Sequence, residues 1–432
     1  MGKNIFIVGL DAFHLRQLKA LARARKYRFI SLISYEKIKC GLRFPVCEFL
    51  EQAPRLLADY PGRVDAIVGY WDFPVSTLLP ILQKQQGLRG PSLEAVLMCE
   101  HKYWSRVKQQ EIIPESIPAF QQVDPFDPDA VRACSLDYPF WLKPVKSVLS
   151  HLGFMIRDER EFDTALATIR KGIARYAVPF NYILNRIEMP GDIRAVDGYL
   201  CIAESLISAG RQCTLEGYAQ DGAAHVYGII DSVREGKHQS SFSRYQYPSI
   251  MPQQVQQRMI ETTKKLIEHL TYDDAPFNIE FYWDDRHDSI HLLEINTRIS
   301  KSHCPLFKMV DGEYHHDVMI DVALGLAPQF PHRQGRFATA AKFMVRRYRD
   351  GTVLGIPGAE DVNRVRERFD GAEVQINVIP GMRLSELRDQ DSYSYEIANL
   401  FMGADSHEKL LANYREAITM LPFHIVHDEE SI

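Results

Sequence analysis

Two short segments constrain this chain more than any others: Phe277-Asn278-Ile279-Glu280-Phe281-Tyr282 and Ile290-His291-Leu292-Leu293-Glu294-Ile295-Asn296-Thr297-Arg298. Each reads as an apolar strand with acids and amides set into it. The polar turn Asp284-Asp285-Arg286-His287-Asp288 joins them, so a β-hairpin is expected. Antiparallel pairing brings Glu280 and Glu294 near one another, and Glu294 and Asn296, two apart, share a face. Two carboxylates and an amide oxygen make a hard oxygen set, the kind that holds magnesium together with phosphate oxygens and water. A plain solvated hairpin face is the simpler alternative. It fits poorly beside Ile279, Phe281, Leu293 and Ile295, residues typical of interior strands.

The N-terminal third alternates strand patterns (residues 4–9, 29–34 and 64–69) with helical ones (13–25, 45–59 and 76–86). Such alternation implies a parallel sheet with helices on both faces, and ligands gather at the carboxyl ends of such strands. The segment Gly9-Leu10-Asp11-Ala12-Phe13 lacks two of the glycines of GxGxxG, so a Rossmann-type dinucleotide site is not expected and Gly9 reads as a turn residue. Asp72 follows the third strand and reads as the N-cap of the next helix in preference to a functional acid.

At 432 residues the chain is long for one core, and two or three domains are expected. A composition of 46% hydrophobic and 25% charged residues is that of a globular protein. The net charge of -5, with both signs interspersed, argues against a dedicated nucleic-acid surface and leaves room for local binding of an anionic cofactor. No apolar run approaches the length of a signal peptide or membrane span. The seven cysteines, from Cys40 to Cys304 and without CxxC, form no zinc or disulfide framework, which points to a cytoplasmic setting.

Between these regions, residues 89–94 (RGPSLE) read as a loop entering a helix with Ser92 as its cap, and the helix is expected to run on through Cys99–Arg106 past Lys102. Residues 140–145 (FWLKPV) read as a strand bearing Lys143, a charge costly to bury without an anionic partner. Two such lysines can neutralise a polyphosphate, although either alone is more often solvated. Beyond residue 335, strand patterns at 339–345, 374–378 and 393–400 precede a helical stretch at 407–421. His315-His316-Asp317 reads as a helix start in preference to a metal site.

From about residue 1 to 325 the chain resembles the ATP-grasp superfamily, in particular its carboxylate–amine ligases and biotin-carboxylase-like branch. The likeness rests on GPSLEAVLMCEHKYWSR, WLKPVKSVLSHLGF, IEMPGDIRAVDGYL, FNIEFYWD and LLEINTRIS, in the family's order. The last two are the specific ones. The resemblance implies an α/β and α+β protein: an N-terminal parallel-sheet (pre-ATP-grasp) domain over 1–95, an ATP-grasp domain over 96–330 with α+β lobes at 96–185 and 186–330, and a small α+β domain over 331–432.

By the same likeness, Lys102 and Lys143 contact the phosphates of ATP. The segment Asn185-Arg186-Ile187-Glu188 is a hinge strand whose backbone reads adenine. Glu188 or Asp192 binds the ribose hydroxyls, the family's usual acid two residues after Gly191 being Ile193 here. Asp197, in the family's VDG, is structural. Glu280 and Glu294, completed by Asn296, bridge magnesium (or manganese in its place) to the phosphates. Arg298 is the catalytic residue that holds the transferred phosphoryl or acyl-phosphate group. Ser300, Lys301 and His303 lie where substrate is touched, with His303 read as incidental rather than as a base. Relatives carry a glycine-rich loop over the phosphates, whereas residues 144–152 contain no glycine, leaving Lys146, Ser147, Ser150 or His151 as substitutes.

The implied function is an ATP-dependent ligase joining a small carboxylate to an amine through an acyl-phosphate, with ADP and phosphate released. Neither nucleic acid nor membrane is an expected partner. Dimers are common among relatives, and a homodimer is one expectation. Two alternatives stand beside this reading: a bicarbonate-activating carboxylase-like enzyme, and an ATP-binding protein or phosphotransferase with little ligase activity, which the altered loop suggests.

Overall fold

The computed structural model describes residues 2–39, 43–148, 151–207, 210–235, 241–387, 390 and 394–427. The chain divides into two compact units. Residues 1–227, 252–301 and 315–330 form the first; residues 228–251, 302–314 and 331–432 form the second.

The first unit opens on a parallel sheet in which β1 (Lys3–Leu10) lies between β2 (Tyr27–Ser34) and β3 (Ala66–Val68). Ile5, Ile7 and Val8 are wholly buried, as a strand covered on both faces requires. Helices Val46–Ala58 and Val75–Gln85 fall where the periodicity predicts. The expected helix at 13–25 is shorter. It spans Ala12–Lys19, opened by the Asp11 carboxylate, which accepts from the amides of Phe13 and His14. The chain then turns, and Arg23 donates to Asp317 and Asp321. Gly9, at φ +82°, does more than turn the chain. A Cβ there would lie 2.7 Å from Cδ1 of Trp71, whose indole N–H donates to the Gly9 carbonyl at 2.7 Å.

Ser92 caps helix Leu93–Glu100 by accepting from the Ala95 amide, as expected. The helix does not continue through residue 106, however. It stops at His101, which opens a second helix, Lys102–Ile112. The His101 ring accepts from the Trp104 amide at Nδ1, and its Nε2 meets the Val196 carbonyl at 2.7 Å. Burial pulls the ring's pKa down to about 4, so it is neutral and serves as donor and acceptor at once. The break leaves Lys102 on a first turn, with its amide donating to the Val145 carbonyl.

An antiparallel sheet follows, built from β4 (Phe120–Val123), β5 (Phe140–Pro144), β6 (Phe154–Ile156) and β7 (Cys201–Ser205) in the order β4-β7-β5-β6. Phe140, Leu142, Ile156 and Ala203 pack with Phe162, Leu166 and Ile169 of helix Glu159–Gly172. Next come β8 (Arg211–Gln220) and β9 (Ala223–Glu235); β9 passes into the second unit, where β10 (Ser241–Tyr247) lies. The chain returns to the first unit for helix Gln253–His269 and for the expected hairpin, β11 (Ala275–Asp284) and β12 (Ser289–Asn296). Helix His316–Ala323 begins at the paired histidines, as the sequence suggests.

The second unit adds β13 (Thr339–Arg347), β14 (Thr352–Gly355), β15 (Glu373–Ile376), β16 (Tyr395–Ala404) and β17 (His424–Val426). The end of β9 pairs with β10, and the order continues through β13 and β16 to β15, all antiparallel. Phe343, Val345, Leu400 and Met402 pack with Val365 of helix Ala359–Arg368 and Leu410 of helix His407–Thr419. Among the described residues, six cysteines are free and no helix is long and apolar enough to cross a membrane.

Candidate active site

Strand register assembles the site. β11 and β12 pair so that Glu280 faces Glu294 and Asn278 faces Asn296. β11 and β8 pair so that Thr214 lies beside Glu280 and Glu216 beside Asn278. Because side chains alternate along a strand, Thr214, Glu216, Asn278, Glu280, Glu294 and Asn296 share one face. Cys213, Leu215, Phe277, Ile279, Phe281 and Ile295 take the other and are buried, with Cys213 Sγ 3.4 Å from Sδ of Met259 on helix Gln253–His269. On the polar face, Gln212 donates to Glu280 at 2.7 Å, and Asn296 donates to the Asn278 side-chain oxygen at 2.9 Å. Both glutamates are only half-buried.

Three lysines stand in the same unit, each in a different setting. Lys143 on β5 lies 2.5 Å from Glu204 on β7, and Arg106 donates to the same carboxylate at 2.6 Å. Burial pushes the Glu204 pKa up, but Arg106 and Lys143 together override it and hold the group at about 2. Lys146 lies 2.5 Å from Glu100, which also accepts from the Thr297 hydroxyl. Its ammonium sits over the rings of Phe73 and Phe180 at 5.4 and 5.6 Å. Lys102 touches no carboxylate among the described residues, and its ammonium donates to the Ser147 carbonyl at 2.9 Å. Burial brings its pKa down to about 8, with Glu294 the strongest opposing charge. Of the other loop candidates, His151 packs against the Tyr176 ring, and Ser150 lies outside the described residues.

Arg298, just past β12, is anchored on the parallel sheet. Its Nε lies 2.6 Å and its Nη2 2.5 Å from Asp72 Oδ1. This corrects the reading of Asp72 as a cap: helix Val75–Gln85 begins after Pro74 with no side-chain cap, and the carboxylate is spent on the guanidinium instead. Burial opposes the charge on Arg298, yet Asp72 outweighs it and raises the pKa, so the cation is permanent. The Ser300 amide donates to both oxygens of Glu216 at 3.3 Å. Glu216 is wholly buried, and that burial pushes its pKa well above the carboxylate range. The Lys301 ammonium stands over the Trp71 ring at 4.4 Å. At the end of β1, Asp11 lies 2.5 Å from the His14 ring and accepts from Tyr70 at 3.2 Å. Charged and aromatic groups thus collect at the carboxyl ends of β1 and β3, where a parallel sheet ordinarily takes a ligand. His303 falls in the second unit, its ring edge-on to Tyr245.

One expected element is absent. Residues 185–188 are not a strand: Asn185 is the C-cap of helix Ala174–Leu184, and the chain then loops to the short helix Gly191–Arg194. Tyr176, Ala177, Phe180, Ile183 and Leu184 are buried at helical spacing, a signal that the segment's position among the family motifs masks. Arg186 folds back on Tyr182, donating to its hydroxyl at 2.7 Å, while Ile187 lies in the loop and Glu188 and Asp192 are exposed. The strand beside β5 is β7, which carries Glu204. Asp197 is structural, as expected: Asn181 donates to it and accepts from the Gly198 amide. Glu100, Arg106, Glu204, Gln212 and Glu216 contact the candidate residues, and sequence reasoning missed them. For Glu204 the signal was present, since Cys201-Ile202-Ala203-Glu204 sets a charge in an apolar strand just as Lys143 does.

Residues 136–304 match the family model described as the ATP-grasp domain. The fold is also that of solved ATP-grasp ligases. An L-amino acid ligase from Bacillus licheniformis superposes with a TM-score of 0.74 at 18% identity, over 99% of both chains. Phosphoribosylglycinamide synthetase from Anaerococcus prevotii gives 0.63 at 15% identity, over 99% of this chain and 100% of that one. The biotin carboxylase domain of the Hydrogenobacter thermophilus 2-oxoglutarate carboxylase, solved as a dimer with magnesium ADP and bicarbonate, gives 0.65 at 15% identity, over 99% of this chain and 91% of that one. No curated protein sequence matches the chain.

Proposed function

With residues 136–304 forming an ATP-grasp domain, we propose that this chain is an ATP-dependent ligase that activates a small carboxylate as an acyl-phosphate and passes it to an amine, releasing ADP and phosphate. The observation that carries the reading is the β11–β12 face, where Glu280 stands opposite Glu294 and Asn296 leads to an arginine fixed by Asp72.

The donor set fits magnesium. Glu280, Glu294 and the Asn296 amide offer hard oxygens, and the described residues hold no group of three His, Cys, Asp or Glu side chains that would ligate a metal unaided. The remaining positions suit phosphate oxygens and water. ATP, when bound with magnesium, supplies the phosphoryl group and the means of neutralising its charge.

The chain's own residues do the rest. Lys102, without a carboxylate of its own, is the lysine freest to turn from the Ser147 carbonyl to a phosphate oxygen. Lys143 is oriented by Glu204 and serves as a second, fixed cation. The adenine-facing backbone falls to the end of β7 in place of residues 185–188. Arg298, held as a cation by Asp72, stabilises negative charge on the acyl group as the amine attacks. In this reading Ser300 and Lys301, which follow it in the chain, contact substrate. The domain limits at 95 and 330, a cytoplasmic setting and a homodimer belong to the same reading.

Hydroxylamine trapping tests the proposal, because hydroxylamine stands in for the unknown amine. With magnesium, ATP and pooled small carboxylic acids, hydroxamate is expected in step with ADP. ADP formed without hydroxamate would favour the phosphotransferase reading. The tight Lys146–Glu100 pair, in the loop where relatives have glycine, is the one observation on that side.

A further inference from the structure

Three lysines are buried within the described protein. Lys143 and Lys146 each meet a glutamate at the site above. Lys342 does not. It lies on β13 in the second unit, 9% exposed, and its ammonium makes one hydrogen bond, 3.3 Å to the Ser302 hydroxyl. The same nitrogen stands 5.8 Å from the centre of the Tyr245 ring. The charges that bear on it most are Glu396 and Arg346, which lie 3.2 Å apart as a pair and so largely cancel. No carboxylate among the described residues is in contact with it.

Burying an ammonium is costly unless an anion meets it. A hydroxyl and a ring face offset part of that cost and, among the described residues, leave two N–H donors unfilled. The position is not a packing accident of the core. Ala341, Phe343 and Val345 alternate with it and enter the second unit's hydrophobic core, so Lys342 occupies the opposite face of β13. There it pairs directly across the ladder with Tyr245 of β10, whose ring meets the edge of His303 at 5.1 Å. Tyr245 and Ser302, which flank the ammonium, are themselves only half-buried. Burial, the largest influence, draws the lysine's pKa below its ordinary value, with Glu396 opposing and Arg346 adding to it, the condition that a bound anion relieves.

We propose that Lys342, Ser302 and Tyr245 form a binding site for the carboxylate of a small molecule. The ammonium pairs with the carboxylate, the Ser302 hydroxyl donates a second hydrogen bond, and the Tyr245 ring closes one side. The site lies within the second unit and does not depend on the ligase reading.

Lysine-selective amidination of the full-length protein, followed by peptide mass spectrometry, tests it. Acetate, glycine, succinate and inorganic phosphate are compared with sodium chloride at equal ionic strength. Acetate or succinate is expected to slow modification of Lys342 about tenfold, the scale of a charge-assisted pair, and Ser302→Ala to weaken that protection. Lys342→Met is expected to stay folded by circular dichroism and to lose the carboxylate-dependent rise in Tm, with Lys342→Arg retaining it. Protection by phosphate but by no carboxylate would overturn the carboxylate assignment. Equal protection by chloride, or a carboxylate-induced Tm shift that survives Lys342→Met, would overturn the site.

Discussion

Arg298 presents a planar fork of N–H donors, and Asp72 engages two of its nitrogens from a distance of 226 residues along the chain. A lysine keeps the charge but not the fork. Arg298→Lys is therefore expected to lower kcat by about 100-fold, the loss typical of a donor aimed at developing charge. Asp72→Asn leaves the guanidinium present but less firmly held. It is expected to lower kcat about tenfold with little change in the KM for ATP, consistent with a positioning role. Steady-state kinetics on the two variants separates these outcomes. Lys102 adds a pH dependence. Its pKa is depressed to about 8, so in the free protein the cation is present below that value and lost above it. ATP, a polyanion, favours the charged form, and its affinity is expected to fall as pH rises through 8. Titration calorimetry at pH 7 and pH 9 checks the sign; an affinity that rises over that interval would remove Lys102 from the phosphate site.

At the scale of elements, the hairpin was the most legible part of the chain, because its strands announce themselves by alternation and its turn by composition. The glutamate pairing followed from register alone. Asp72 was misread because capping is local, while its real partner is distant in sequence. Residues 185–188 were misread because their place among the family motifs outweighed the 3.6-residue burial pattern of Tyr176, Phe180 and Ile183. The break at His101 was invisible for another reason: a buried neutral imidazole capping a helix has no sequence signature of its own. Two predictions belong here. Ser92→Ala removes the cap of helix Leu93–Glu100 and is expected to cost about 1 kcal/mol in chemical denaturation. Glu204→Gln leaves Lys143 and Arg106 buried without their shared counter-charge and is expected to cost roughly 3–5 kcal/mol. A loss smaller than that of Ser92→Ala would mean that Glu204 does not join β5, β7 and helix Lys102–Ile112 as described.

Taken whole, the chain places an oxygen-rich sheet face, a set of lysines and a parallel sheet in one compact unit, and a separate buried lysine in the other. A ligand that binds only the folded state stabilises it, by about 2.7 kcal/mol at a hundred times its Kd. ATP and magnesium together are expected to raise Tm by several degrees, ATP alone by less, and neither to do so once Glu280 and Glu294 are both alanine. The central claim, however, is chemical. The measurement that tests it most directly is ADP release with magnesium and ATP, screened against pooled acids and amines, for the native chain beside Glu294→Ala. The account predicts release that requires an acid and an amine together and is lost in Glu294→Ala. Release that proceeds without either substrate, or that survives Glu294→Ala, would contradict it.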